Sequence, residues 1–302
     1  MKRVISVSLE SSARDKKVDI RVAGHEVHIE RIGTDGDLGC ALEMIGELAP
    51  GADCIGIGGT DRYLVTSKRR YERREAAAMV RAAGNTPVAD GSGFKQYVEP
   101  AVLRMLAENG TVAFAGKEAL LVSAVDRFGM ALELARLGAR VTYGDLIFGL
   151  GLPIPVRSTQ TIDILGALLL PFLCQVPISW LYPSGGSQKA PSTRTLKYFQ
   201  RAEIIAGDFH FIRQHMPDDL GGKTVITNTT TESDVAALRQ RGLQMLVTTT
   251  PAIQGRSFGT NVWEGVLVAI SGKRPEQLRE EDYLRFLHEA GWRPNVIVLN
   301  EG

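Results

Sequence analysis

The chain has 302 residues, 35 Lys and Arg against 34 Asp and Glu, and a formal net charge of +1. Hydrophobic residues make up 44% and charged residues 23%, which excludes an intrinsically disordered chain. The balanced charge gives no electrostatic reason to expect a nucleic-acid or membrane partner, and the length predicts two domains rather than one.

The first twelve residues, MKRVISVSLESS, carry two basic residues and then alternate. They lack the apolar stretch and cleavage site of a signal peptide, so they predict a first strand over 4–8 and a cytoplasmic chain. Strands over 18–22 and 27–32 flank Ala23-Gly24, a hairpin turn. A helix over 38–48, a strand over 54–57 and helices over 68–83 and 97–108 follow. The stretch 109–116, NGTVAFAG, follows a helix and precedes a fresh βαβ unit, and marks a boundary between domains 1–110 and 111–302. Beyond it, strands over 119–123, 140–143, 204–206, 224–226, 245–248 and 296–299 alternate with helices over 127–137, 162–173, 233–241, 261–271 and 281–289. The fold class is α/β: a Rossmann-like parallel sheet domain preceded by a smaller α/β domain.

Three cysteines, Cys40, Cys54 and Cys174, are too few and too widely spaced for a disulfide framework or a metal site, which fits reduced core residues. The apolar stretch 161–183 raises a membrane question. Asp163, Gln175, Pro171 and Pro177 interrupt it, and it reads as a buried helix or as the contact of a homodimer. The stretch 184–195 is rich in Gly, Ser and Pro and predicts a mobile loop or lid.

Residues 118–145 outline a mononucleotide-binding unit: strand, turn, helix, and a second strand ending at Asp145. That acid lies where a ribose hydroxyl would be bonded. Aligning Gly129 with the third glycine of the dinucleotide fingerprint puts Ala124 first and Asp126 second, so the glycines that admit a pyrophosphate are missing. Asp126 is either a helix cap or a group aimed into the ligand crevice. Ser123, Asp126, Gly129 and Asp145, with Thr248 and Thr249 at a later strand end, form the candidate cofactor set.

Val65-Thr66-Ser67-Lys68, Asn85-Thr86, Asp90-Gly91-Ser92-Gly93-Phe94 and Gly116-Lys117 together resemble the shikimate/quinate dehydrogenase family. Three further stretches, 6–12, 207–211 and 255–261, resemble a group of bacterial proteins labelled quinate 5-dehydrogenase. The resemblance implies that Lys68 and Asp90 form a catalytic pair and that NAD or NADP is the cofactor. It also implies that Ser6 and Ser8 meet the substrate carboxylate, which Arg14 could pair. Lys68 also opens a charged run, 68–75, that suits a solvated helix face.

In the second half, strand ends at Asp208, at 227–231 and at 248–250 are polar, as the carboxyl edge of a parallel sheet lining a small-molecule site would be. His210, following one of them, is the best-placed histidine for acid/base work. Arg256, Ser257 and Asn261 sit in a glycine-bearing stretch before a helix, which suits an anion. No spacing fits a metal cluster, a nucleophile elbow or a P-loop. The expected function is NAD(P)-dependent oxidation of a hydroxylated ring carboxylic acid such as quinate or shikimate. The alternative is a Rossmann-like enzyme or binding protein for an anionic small metabolite that uses no dinucleotide.

Overall fold

The computed structural model describes residues 1–176, 193–253 and 256–301; the side chains of residues 193, 194 and 256 lie outside that description. The first half contains β1 (Lys2–Ser8), β2 (Lys16–Val22), β3 (His25–Gly33), α1 (Leu38–Leu48) and β4 (Cys54–Gly58). It continues with β5 (Tyr63–Val65), β6 (Arg70–Glu72), α2 (Arg74–Ala82) and β7 (Val88–Ala89). A wide helical turn, Phe94–Val98, leads into α3 (Glu99–Glu108). The second half runs β8 (Glu118–Leu121), α4 (Phe128–Arg136), β9 (Arg140–Tyr143), α5 (Thr159–Leu173), α6 (Thr193–Arg201), β10 (Ile204–Ala206) and α7 (Phe209–His215). Then come β11 (Thr224–Thr227), α8 (Glu232–Gln240), β12 (Met245–Thr248), β13 (Ala252–Ile253), β14 (Arg256–Ser257), α9 (Thr260–Ser271), α10 (Glu280–Glu289) and β15 (Asn295–Val298).

The first sheet has the order β2-β3-β1-β4-β7. β2 and β3 are antiparallel, joined by a turn in which Ala23 and Gly24 both have positive φ, 47° and 80°. That is the backbone twist a two-residue hairpin demands. β1 runs parallel to both β3 and β4, with Ser6 opposite Arg31 on one side and Gly56 on the other. On one face Ile5, Val7, Ile55 and Ile57 bury against Ala41 and Ile45 of α1 and Met79 of α2. On the other, Val4, Val27, Cys54 and Ala89 meet Val262, Trp263 and Val266 of α9, a helix from the far end of the chain. A Cβ on Gly265 would stand 2.8 Å from Val4 Cγ1, so α9 lies directly on β1.

The second sheet has the order β15-β12-β11-β10-β8-β9, parallel except for β15, which runs antiparallel to β12. Its inner strands β8, β10, β11 and β12 are mostly apolar because helices cover both faces. Leu120, Ile205, Val225 and Leu246 pack with Phe199, Phe209, Ile212 and Leu238. Leu121, Ala206, Ile226 and Val247 belong with Met130 and Leu134 of α4 to the opposite face. Each such side chain, fully buried, stabilises by about 1.5–3 kcal/mol before chain entropy is charged against it.

Several expected boundaries are corrected. The helix over 68–83 starts only at Arg74, because residues 63–72 fold as the antiparallel hairpin β5–β6 with Leu64 opposite Tyr71. The strand over 119–123 stops at Leu121, where the chain turns to meet Asp145. Two short helices, α6 and α7, were not anticipated; α7 is capped by Asp208, which accepts from the His210 amide at 2.9 Å. α3, expected in the first domain, packs against α4 of the second half.

Among the described residues no helix is long and apolar enough to cross a membrane. The end of the 161–183 stretch and most of the expected lid at 184–195 lie outside the described residues.

Candidate functional site between the two sheets

Both sheets have a switch point. In the second, the chain moves from β8 out to β9 and returns to β10 on the other side; in the first, β3 and β4 flank β1. Ligand crevices form at the carboxyl ends of strands at such points. Here the two sets of carboxyl ends line one cleft of about 550 Å³. Its lining includes Ser6 and Ser8 from β1, Asp61 and Asp90 from beyond β4 and β7, and Ser123 and Asp126 from beyond β8. Asp208, His210, Asn228 and Thr229 come from the ends of β10 and β11, and Ser257 to Asn261 from the end of β14 and the start of α9. The volume is that of an ordinary small-molecule site, roughly 300–1,000 Å³.

At its centre the Lys95 ammonium bridges the carboxylates of Asp61 and Asp126. Lys95 sits on the wide turn before α3 and is itself buried. Burial opposes its charge, but the two carboxylates outweigh that and hold the ammonium firmly protonated. Burial, then the neighbouring Asp126 carboxylate, pushes Asp61 up to about 7, against the pull of Lys95. For Asp126 burial is outweighed by Lys95 and Arg127, so it stays ionised. The two carboxylates titrate as one pair around Lys95, with burial and their mutual repulsion raising Asp61 and the neighbouring cations lowering Asp126.

Beneath this cluster Arg127, 1% exposed, pairs with the equally buried Glu99 and lies 3.3 Å from both Asp126 and Asp208. Asp208 also accepts from Asn228 Nδ2 at 3.1 Å. At the rim, Glu10 binds Arg14 at 2.9 Å, Arg31 at 3.1 Å and His210 Nε2 at 3.1 Å. Arg14 also touches His210 and, more weakly, Thr229 Oγ1 at 3.4 Å. These contacts clasp the first half to the second across the cleft. Burial works against a charged His210, but Glu10 outweighs it and raises the imidazole above its usual value; Glu10 in turn is held well below the carboxylate range.

The expected catalytic pair is not assembled. Lys68 is exposed in the loop between β5 and β6 and does not line the cleft. Asp90 does line it, but its oxygens accept from the Arg62 and Ser92 amides, both at 3.1 Å. The lysine of the cleft is Lys95. The glycines after Asp90 serve packing: a Cβ on Gly91 (φ +86°) would stand 2.6 Å from the Asn261 amide, and Glu264 accepts from the Gly91 and Gly93 amides at 2.7 and 2.9 Å.

The cofactor set is dispersed in a different way. Asp145 is held by the turn after β8, accepting from the Ala124 amide at 2.9 Å and the Val125 amide at 3.0 Å. Ser123 Oγ lies 3.4 Å from the same carboxylate. In the standard dinucleotide pose the amides of this turn receive the pyrophosphate, and the acid at the end of the next strand receives the ribose. Here the acid is bonded to the amides, so neither group is free and the residues do not fit a dinucleotide in that pose. Asp126, in the position of the second glycine, is committed to Lys95. Gly129 permits close helix packing: a Cβ there would stand 2.7–2.8 Å from the Gln96 and Lys95 carbonyls. Thr248 and Thr249 are buried away from the cleft; Thr248 donates to the Thr250 carbonyl at 3.1 Å, and the Thr249 carbonyl accepts from Trp292 Nε1 at 3.0 Å.

Of the substrate set, Ser6, Ser8, Arg14, Ser257 and Asn261 do converge on the cleft. Asn261 Nδ2 donates to Ser6 Oγ at 2.8 Å, tying α9 to β1, and Ser257 Oγ accepts from the Thr230 amide at 3.2 Å. The side chain of Arg256 lies outside the described residues. Sequence reasoning missed Glu10, Asp61, Arg73 and Lys95. Asp61 was findable, since it follows the strand end Gly58-Gly59-Thr60; Lys95 lies one residue beyond the Asp90–Phe94 motif. Among the described residues no group of three or more His, Cys, Asp or Glu could hold a metal ion.

A family profile described as a domain of unknown function (DUF8754) matches residues 93–299, and a second (DUF8753) matches residues 3–90. No curated protein matches the chain. Among solved structures, glutamate dehydrogenase from Thermus thermophilus in its leucine-bound form is 14% identical, with a TM-score of 0.42, over 96% of this chain and 74% of that one. A periplasmic sugar-binding protein from Pseudomonas fluorescens is 12% identical, with a TM-score of 0.36, over 95% and 81%. A glucose-galactose binding protein from Geobacillus stearothermophilus is 12% identical, with a TM-score of 0.36, over 98% and 97%. At such scores these likenesses carry no functional weight.

Proposed function

The chain belongs to the first of these two families, a membership that assigns no activity, and from the geometry of its cleft we propose that it binds a small hydroxylated metabolite carrying an anionic group and moves a proton on one of that ligand's hydroxyls. Quinate and shikimate are members of this ligand class. The observation that carries the reading is the Lys95–Asp61–Asp126 cluster, set where the carboxyl ends of two parallel sheets face each other. Asp61, with its carboxyl near 7, accepts the hydroxyl proton, and the Lys95 ammonium stabilises the oxygen that loses it. Ser6, Ser8 and Asn228 supply donors and acceptors for the other hydroxyls.

Oxidation of such a hydroxyl needs a hydride acceptor. The engagement of Asp145 with the turn after β8 disfavours NAD or NADP in the standard pose and favours the reading without a dinucleotide. The free state of Cys40, Cys54 and Cys174 supports a cytoplasmic setting.

The test is a binding titration of the purified protein with quinate, shikimate, NADH and NADPH, repeated on Asp61→Asn. Binding of a hydroxy acid, with a proton uptake or release on binding (read by calorimetric titration in buffers of different ionisation enthalpy) that is lost in Asp61→Asn, is the expected result. Tight binding of a nicotinamide nucleotide would restore the oxidoreductase reading. Binding of none of the four would overturn the proposal.

A further inference from the structure

One cation of the cleft differs from the rest. Arg14 and Arg31 share Glu10, and Lys95 holds two aspartates. Arg73, at the entry to α2, is 3% exposed, and among the described residues it has no acidic partner. Its backbone is engaged, donating to the Arg62 carbonyl at 2.8 Å, but Nε and Nη2 of its side chain have no hydrogen-bond partner. A buried guanidinium with unused donors is unfavourable unless something compensates it. The neighbouring acids cannot: Asp61 and Asp126 are bound to Lys95, and Asp90 to backbone amides.

The identity of the two unused atoms is informative. Nε and Nη2 form one edge of the guanidinium plane, the fork that meets both oxygens of a carboxylate at once. Arg73 also lines two spaces, the polar cleft and a smaller apolar chamber of about 70 Å³ behind it. Leu64, Ser123 and Phe211 share that boundary, and the chamber continues between Leu165 and Leu169 of α5. A ligand group lying against Arg73 therefore has hydroxyl-binding residues on one side and hydrocarbon on the other.

We propose that Arg73 is the receptor for the anionic group of the ligand and that this group is a carboxylate, held side-on by Nε and Nη2 at the mouth of the apolar chamber. This rests on the proposed hydroxylated-metabolite reading and adds the group that orients the ligand. It moves the anion contact away from Arg14, which is committed to Glu10, and gives the cleft a direction: carboxylate at Arg73, hydroxyls toward Lys95 and the serines. The same fork could meet two oxygens of a phosphate, but the remaining charged oxygens would then face the hydrocarbon of the chamber, so the surroundings favour the planar, singly charged anion.

The experiment follows the Arg73 Nε–H resonance in nitrogen-15 labelled full-length protein, assigned by its absence from Arg73→Lys. Quinate, shikimate and benzoate are the carboxylate probes, with inorganic phosphate and methyl shikimate as controls. The expected result is a saturable shift of this resonance with the acids and none with phosphate or the ester. Arg73→Lys keeps the charge without the fork, and should bind the acids about tenfold more weakly or worse. A resonance unmoved by all three acids, or unchanged affinity in Arg73→Lys, overturns the assignment; a shift with phosphate of equal size overturns the selectivity for carboxylate. A proton uptake or release on binding that still requires Asp61 while Arg73→Lys binds normally would leave the wider functional reading intact and remove only this anchor.

Discussion

Replacing Arg127 by Met tests the electrostatic floor of the cleft. The two side chains are of similar length, so packing is largely kept while the charge is lost. Asp126 retains Lys95, and Asp208 retains Asn228 Nδ2, so the group left bare is Glu99, 1% exposed, whose Oε2 already has no partner. Breaking a buried pair from one side costs about 3–5 kcal/mol. In a chain of this length that corresponds to a melting-temperature loss of about 5–8 °C. Urea unfolding followed by circular dichroism measures it. Burial already lifts the Glu99 carboxyl above its ordinary value even with Arg127 beside it, and losing the arginine lifts it further. A raised carboxyl costs stability once the pH exceeds its unfolded value, so the deficit of the variant should shrink as the pH falls from neutrality toward 4.5. Adding Glu99→Gln should recover about 2 kcal/mol or more, since a neutral pair needs no counter-charge. A deficit below about 1 kcal/mol for Arg127→Met, or a double variant no more stable than the single one, would refute this account of the network.

Three other substitutions probe the neighbouring elements. Asp61 has a folded value of about 7 against 3.8 for the free side chain, so its ionisation lowers stability as pH rises through that window. Asp61→Asn should flatten the fall in urea midpoint across the window; an unchanged slope places the proton elsewhere. Asp145→Ala frees the Ala124 and Val125 amides at a cost of about 1–3 kcal/mol. Millimolar inorganic phosphate should then raise the melting temperature of the variant and not that of the wild type; equal responses would show that the turn is no anion nest. Gly129→Ala drives a methyl group into the Lys95 and Gln96 carbonyls and should cost about 1–3 kcal/mol by overpacking; a neutral effect in thermal unfolding contradicts the close approach of α4.

The elements were legible where one periodicity governed a whole segment. The apolar strands 204–206 and 245–248 lie where the sequence puts them, because burial on both faces leaves no polar alternation to confuse the reading. The start of α2 was not legible. Lys68 to Glu75 reads as a charged helix, but Leu64 and Tyr71 draw the first part into a hairpin. The site was half legible. Strand ends rich in Ser, Asp, Asn and Thr pointed to the crevice, and Ser6, Asp126, His210 and Asn261 are in it. Partner choice could not be read, since Lys95 lies 34 positions from Asp61 and 31 from Asp126. The likeness of the Lys68 segment to a catalytic motif concerned a tripeptide and its lysine, and the fold sends that lysine to the surface.

The path of α9 also matters during synthesis. Residues 2–89 can pair as a sheet as soon as they are made, with α1 and α2 on one face. The opposite face, with Val4, Val27, Cys54 and Ala89, stays bare until residues 260–271 leave the ribosome. At a translation rate of about 5–20 residues per second that interval lasts roughly 9–36 s. For that time the nascent chain carries an open apolar surface beside a half-built sheet, the kind of surface chaperones shield. Slowing translation between residues 90 and 271 should therefore make the protein more dependent on them, though the finished fold is unchanged.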